Sequence, residues 1–109
     1  MSIIHQPSND HFILAGSDTW VGLIDGSKIP DMASCYEAIS GALRLPDYFG
    51  ANLDALDEML YDLDWLEHDF VLLIINNSSM LLSGELESKS GLLALFEEID
   101  NPYLEIILL

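Results

Sequence analysis

Three stretches of the 109-residue chain have the pattern of strands: Trp20 to Ile24, Phe70 to Ile75 and Leu104 to Leu109. The last two are almost continuously apolar, which predicts burial on both faces, as in a parallel sheet covered by helices. Phe12 to Ala15 is a candidate for an extra N-terminal strand. Between the strands the period lengthens to that of a helix. After the turn Asp25-Gly26-Ser27, Asp31 suits an N-cap, and Met32, Cys35, Ile39 and Leu43 follow at helical spacing before Pro46. A second helix is predicted from about Ala51 to Leu63, with Leu53, Leu56, Leu60 and Leu63 on one stripe. A short helical turn fits Ser79 to Leu82. A last helix, from about Ser88 or Ser90 to Asp100, buries Leu92, Leu95, Phe96 and Ile99 before Asn101-Pro102 stops it. The resulting order, β-α-α-β-α-β, predicts a compact α/β layer fold with crossover connections.

Length and composition agree with one domain: half the residues are hydrophobic, enough for a core that folds unaided. No repeat or linker divides the chain. Residues 1–11 are polar and turn-rich, order is expected from Phe12 onward, and residues 1–19 form a partly ordered N-terminal extension ahead of a domain at 20–109. Cys35 is the only cysteine, so no internal disulfide forms and a reducing compartment is expected. The absence of a basic n-region and of long apolar runs points to a soluble cytoplasmic protein.

Charge alters the picture most. Three cations, Lys28, Arg44 and Lys89, stand against nineteen acids, for a formal net charge of −16. Nucleic acid and anionic membranes are therefore poor ligands, because neither can be bound without a supply of Lys and Arg. Such a field attracts cations or basic proteins. The segment from Leu45 to Ser88 holds ten of the nineteen acids and no Lys or Arg, and eight of the ten lie between Asp47 and Asp69.

Winding Ala51 to Trp65 as a helix puts the leucines on one side and Asp54, Glu58, Tyr61, Asp62 and Trp65 on the other, with Asp57 at the border. An amphipathic helix in any acidic protein presents acids to water, which is the plainest account of this face. Two features go beyond it. The pairs Asp54/Glu58 and Glu58/Asp62 repel at i,i+4 with no nearby cation to relieve them. The preceding loop, Asp47-Tyr48-Phe49-Gly50, puts aromatic rings beside the acids, as interfaces do.

The run Leu45-Pro46-Asp47-Tyr48-Phe49-Gly50-Ala51-Asn52-Leu53-Asp54-Ala55-Leu56 resembles the signature of the barstar family of intracellular ribonuclease inhibitors. Leu23-Ile24-Asp25-Gly26, Trp65-Leu66-Glu67 and Leu104-Glu105-Ile106-Ile107-Leu108 resemble further parts of that family, so the likeness runs from about Trp20 to the end. It implies a three-stranded parallel sheet flanked by helices. It also implies a function: masking a ribonuclease active site with the second helix and the loop before it. Carried over by position, Tyr48, Asn52, Asp54 and Glu58 match partner-contact residues. Asp57 stands where the family has a tryptophan, Trp65 matches a loop tryptophan if two residues are inserted after Leu60, and Glu98 matches an acid on the last helix. Glu58 replaces an aspartate, and Asp69 replaces a proline before the second strand. The expected partner is a basic ribonuclease or nuclease toxin, bound by a monomer one to one. An immunity protein for a delivered toxin would use the same mechanism, and an acidic module for another basic protein is the rival reading.

No other group offers competing chemistry. His5, His11 and His68 form no ligand pattern, and the helical acids lack the glycine-containing loop of a dedicated calcium site, so neither metal nor cofactor is expected. An exposed helical face rarely shifts a carboxyl enough for acid–base catalysis, and Cys35 belongs to an apolar stripe. The chain does not have the makings of an enzyme.

Overall fold

A computed structural model describes residues 2–4 and 18–109. The candidate strand Phe12 to Ala15 lies outside the described residues. Strands β1 (Ser2–Ile4) and β2 (Thr19–Asp25) come first, followed by helices α1 (Met32–Leu43) and α2 (Leu53–Asp62), strand β3 (Phe70–Asn76), helix α3 (Leu86–Glu98) and strand β4 (Leu104–Leu108). The predicted three-stranded parallel sheet is present as β2, β3 and β4, with β3 in the centre. β1 adds to it by pairing in parallel with β4, Ser2 opposite Glu105 and Ile4 opposite Ile107. This strand falls in a segment that reads as turn-rich. Its formation there has a physical reason: it pairs backbone groups along an edge of β4 that β3 does not reach.

Burial explains the strand patterns. Val71, Leu72, Leu73 and Ile75 of β3 and Leu104, Ile106, Ile107 and Leu108 of β4 are all buried, as two-sided covering requires. β2 alternates, with Gly22 and Ile24 inside and Val21 and Leu23 outside. Gly22 allows α1 to lie directly on the sheet, since a Cβ there would come within 3.1 Å of the Ala42 carbonyl oxygen. The central core joins Cys35, Ile39 and Leu43 of α1, Leu56 and Leu60 of α2, Leu92 and Phe96 of α3, and the inward side chains of the sheet.

Helix boundaries follow their caps. Asp31 caps α1 as expected, its carboxylate accepting from the Ser34 N–H at 2.9 Å, and this bond holds its pKa below the usual carboxylate value. Helix α3 begins at Leu86, ahead of the predicted Ser88, because long-range bonds set its approach. Leu82 N–H donates to the Ile29 carbonyl at 2.8 Å and Gly84 N–H to that of Pro30 at 3.0 Å. The predicted turn near Ser79 is a 3-10 turn at Ser78–Met80. Cys35 is fully buried, and burial pushes its thiol pKa up to about 11, as an unreactive core position requires.

The C-terminal end of α2 is anchored by a buried side chain. Asn101 is 5% exposed, donates its carboxamide N–H to the Leu60 carbonyl at 2.9 Å and accepts from the Tyr103 N–H at 3.0 Å. It thereby ties the last turn of α2 to the segment entering β4. Asn101→Ala strands a carbonyl and an N–H away from water, and an urea unfolding curve should show a loss of about 1–3 kcal/mol.

Candidate functional site: an acidic helix and its aromatic loop

The loop from Pro46 to Asn52 projects a ring and starts a helix. Phe49 turns inward and meets Tyr36 of α1 edge-on, with ring centroids 5.8 Å apart. Tyr48, its neighbour, is 77% exposed. Ala51 adopts a left-handed conformation, φ 49°, that turns the chain into the helix. Asn52 then caps α2: its side-chain oxygen accepts from the Ala55 N–H at 2.8 Å, while its amide donates to the Gly50 carbonyl at 3.3 Å. Asn52 thus has a defined structural duty at the start of α2.

Along α2 the apolar side, Leu56, Met59 and Leu60, is buried and the opposite side is left to water. Asp54, Asp57, Glu58 and Asp62 are all exposed, as is Tyr61 at 65%. Asp57, expected at the border, joins the exposed side. The three cations are engaged elsewhere. Arg44 lies over the Trp20 ring, 5.1 Å from its centroid, and Lys89 donates to the Ser78 carbonyl at 2.9 Å. Lys28 sits in the 3-10 turn that follows β2.

Helix α2 is shorter than its pattern suggests. It ends at Asp62, where Leu63 takes a left-handed conformation, φ 55°, and buries its side chain. That burial, about 1.5–3 kcal/mol for a leucine, offsets the cost of the backbone state, about 1–2 kcal/mol. Trp65 therefore does not continue the acidic face as the helical winding to residue 65 implied. It lies in a second 3-10 turn, Asp64–Leu66, half-buried, with its indole N–H donating to the Leu43 carbonyl at 2.9 Å. Trp20 makes the matching bond to the Ala42 carbonyl, also at 2.9 Å, so the two indoles satisfy adjacent carbonyls at the end of α1. Tyr48, Asn52, Asp54, Asp57 and Glu58 are brought together on one continuous segment. Glu98 is exposed at the end of a different helix, α3.

A feature missed in the sequence extends this surface. The turn after α2 and the start of β3 enclose a cleft of about 410 Å³ that carries Asp62, Asp64, Glu67, Asp69, His68 and Tyr103. The inserted acids around Asp62-Leu63-Asp64 were the sequence signal for it. Asp69 hydrogen-bonds to the carboxylate of Asp18, and that bond with the like charge behind it raises the Asp69 pKa. Among the described residues no group of His, Cys, Asp and Glu has the arrangement of a metal site. No helix among them is long and apolar enough to cross a membrane.

A short-ranged loop, a capped helix with one acidic side and a parallel sheet are the geometry that the Leu45 to Leu56 run suggested. The sequence model of one family, Barstar (barnase inhibitor), matches residues 21–105. The chain belongs to the barstar family. No curated protein gives a significant match. Membership in the barstar family implies a barnase-type ribonuclease inhibitor or a related immunity-type protein, a family of inhibitors and not of enzymes.

Two outcomes follow for stability. Asp62 puts a negative charge at the carbonyl end of α2, four residues after Glu58. Asp62→Lys reverses an unfavourable dipole contact and creates a Glu58–Lys pair, so thermal unfolding should show a gain of about 0.5–1 kcal/mol. The raised Asp69 pKa means that the folded chain binds this proton more tightly than the unfolded chain. The repulsion is therefore present at neutral pH and relieved as pH falls through the folded pKa. Asp69→Asn should raise the melting temperature at pH 7, with the difference from the parent shrinking as the pH is lowered.

Proposed function

We propose that this chain neutralises a basic nuclease, a ribonuclease in the first instance, by laying the Tyr48 loop and the acidic side of α2 into its RNA-binding active site. The observation that carries this reading is the row of exposed carboxylates on α2, Asp54, Asp57, Glu58 and Asp62, with no cation of the chain spent on it. Such a row costs a helix a few tenths of a kcal/mol at each i,i+4 pair. A partner rich in arginine repays that cost, because a carboxylate placed where a phosphate would sit forms charge-assisted, bidentate bonds.

In this reading Asp54 and Glu58 meet the phosphate-binding cations, Tyr48 covers the rim, and Asn52 holds the helix start in register. The exposed edge of Trp65 and the carboxylate of Glu98 border the contact. The cleft beside Asp64 and Glu67 receives a further basic side chain. Asp57 and the inserted turn differ from the family pattern, which favours a partner shaped differently from the family's usual ribonuclease. An immunity protein against a delivered nuclease toxin fits that departure and works by the same contact. The inhibitor acts in the cytoplasm, where its single thiol stays reduced.

The test is titration of a microbial ribonuclease, and of any nuclease encoded beside this gene, with the protein. Loss of activity at one-to-one stoichiometry supports the reading; binding of a basic protein whose nuclease activity persists sinks it in favour of a general acidic module. Asp54→Ala and Glu58→Ala should each weaken binding on the order of tenfold to a hundredfold while leaving the melting temperature nearly unchanged. Association of the parent should slow as salt is added, because exposed charges are screened beyond about 8 Å at physiological ionic strength.

A further inference from the structure

The sheet has a second face, and the helices do not account for its burial. The buried side chains of α1, α2 and α3 form one cluster with Val71, Leu73 and Ile75 of β3 and with Leu104, Ile106 and Leu108 of β4. Those strand residues alternate along their strands, so all of them face one way. Leu72 and Ile107 face the other way, and neither belongs to that cluster. Both are nonetheless buried, at 4% and 1% exposure, whereas Leu23 on the same face is 60% exposed. The register gives the covered part a shape. Ile4 of β1, Ile107 of β4, Ile74 of β3 and Leu23 of β2 form one row across the sheet. Leu72 and Val21 stand one row earlier on this face, and Thr19 one row earlier again. A line from Ile4 to Thr19 therefore passes over Ile107 and Leu72 and misses Leu23, at the opposite corner.

Ile4 and Thr19 are also the ends of β1 and β2, and residues 5–17 connect them. We propose that this connection crosses the sheet diagonally on the face away from the helices, and that its apolar run Phe12-Ile13-Leu14-Ala15 is what buries Leu72 and Ile107. Handedness requires that face. β2, β3 and β4 follow one another in one direction across the sheet, with their connecting helices on one side. The step from β1 back to β2 runs in the reverse direction, and a right-handed crossover that runs in reverse passes over the opposite side.

Length agrees with handedness. Three strand spacings across the sheet and five residues along it separate Ile4 from Asp18, a diagonal of about 21 Å. At about 3.3 Å per residue the chain between them reaches about 46 Å. That suffices to rise about 10 Å from the sheet, cross it and descend. A path around the outside of the helices would need about 60 Å, because it must clear a layer about 10–12 Å thick as well. Composition agrees too. Ile13 stands roughly two-thirds of the way from Ile4 to Asp18, where an even diagonal of about 4.8 Å per strand lies over β3 and so over Leu72. The covered face is then part of the fold and not a docking surface. No residue of α2 takes part, so this crossing and the inhibition proposed above can fail separately.

A thiol on the covered face tests the crossing in the full chain. Leu72→Cys should react slowly with a maleimide, and Cys35, fully buried, does not compete. Adding Phe12→Ser and Leu14→Ser should speed that reaction on the order of tenfold or more, because the cover then opens locally. A Leu73→Cys reporter, on the helix side of the same strand, should keep its slow rate in the same background. Acceleration of both reporters alike, or of neither, overturns the proposal. A second measurement leaves the apolar run intact: Phe12 is exchanged for photoreactive benzoylphenylalanine, and the peptides linked after irradiation are identified. Links to the β3 or β4 peptides that carry Leu72 or Ile107 are expected. Links confined to α1, to β2 or to a second copy of the chain overturn the crossing.

Discussion

The burial of one side of α2 is the constraint on which the remaining features of this molecule depend. Leu56, Met59 and Leu60 are held against the core, and Asn101 grips the Leu60 carbonyl from the segment entering β4. Once that side is committed, the helical period leaves Asp54, Glu58 and Asp62 a single direction in which to point. The acids need no bonds of their own to be oriented. Their positions are set by leucines, which is a more robust arrangement than a network of polar contacts that would compete with a partner for the same carboxylates.

The same economy governs the two tryptophans. A helix ends with carbonyls that have no intrahelical partner, and α1 is capped by indoles arriving from β2 and from the turn after α2. The end of α1 is therefore the junction at which β2 and the turn after α2 are fastened to one another. Loss of either indole would leave a carbonyl unsatisfied and loosen the element that the ring comes from. Left-handed residues at Leu63 and Glu67 give the turn its shape, and the buried Leu63 and Leu66 side chains hold it.

The sequence was most legible where burial repeats with a period. β3 and β4 announce themselves as almost continuous apolar runs because most of their side chains are buried, and α1 shows both its cap and its stripe. The acidic side of α2 is readable for the same reason. Legibility failed where a long-range contact overrides a local pattern. Leu63 keeps the helical stripe in sequence yet leaves the helix to bury itself, and Trp65 follows it inward. The start of α3 is set by bonds to Ile29 and Pro30, more than fifty residues away, which no local signal encodes. The strand Ser2–Ile4 escaped notice because its two isoleucines are embedded in polar surroundings, and its pairing with β4 is likewise a property of the assembled sheet.

The carboxylates of α2 and the ring of Tyr48 hang on the fold without supporting it, in contrast to Asn52 and Trp65, whose side chains hold the start of α2 and the end of α1. A lineage carrying this scaffold can exchange the former residues one at a time with little penalty in folding, while the latter pair is tethered. Under the proposed function, diversification against new partners should thus run along the outward ridge of the helix. Asp57 directly follows the twelve-residue run from Leu45 to Leu56 and lies on that exposed ridge, where under the proposed function a change of side chain alters the contact and leaves the core untouched.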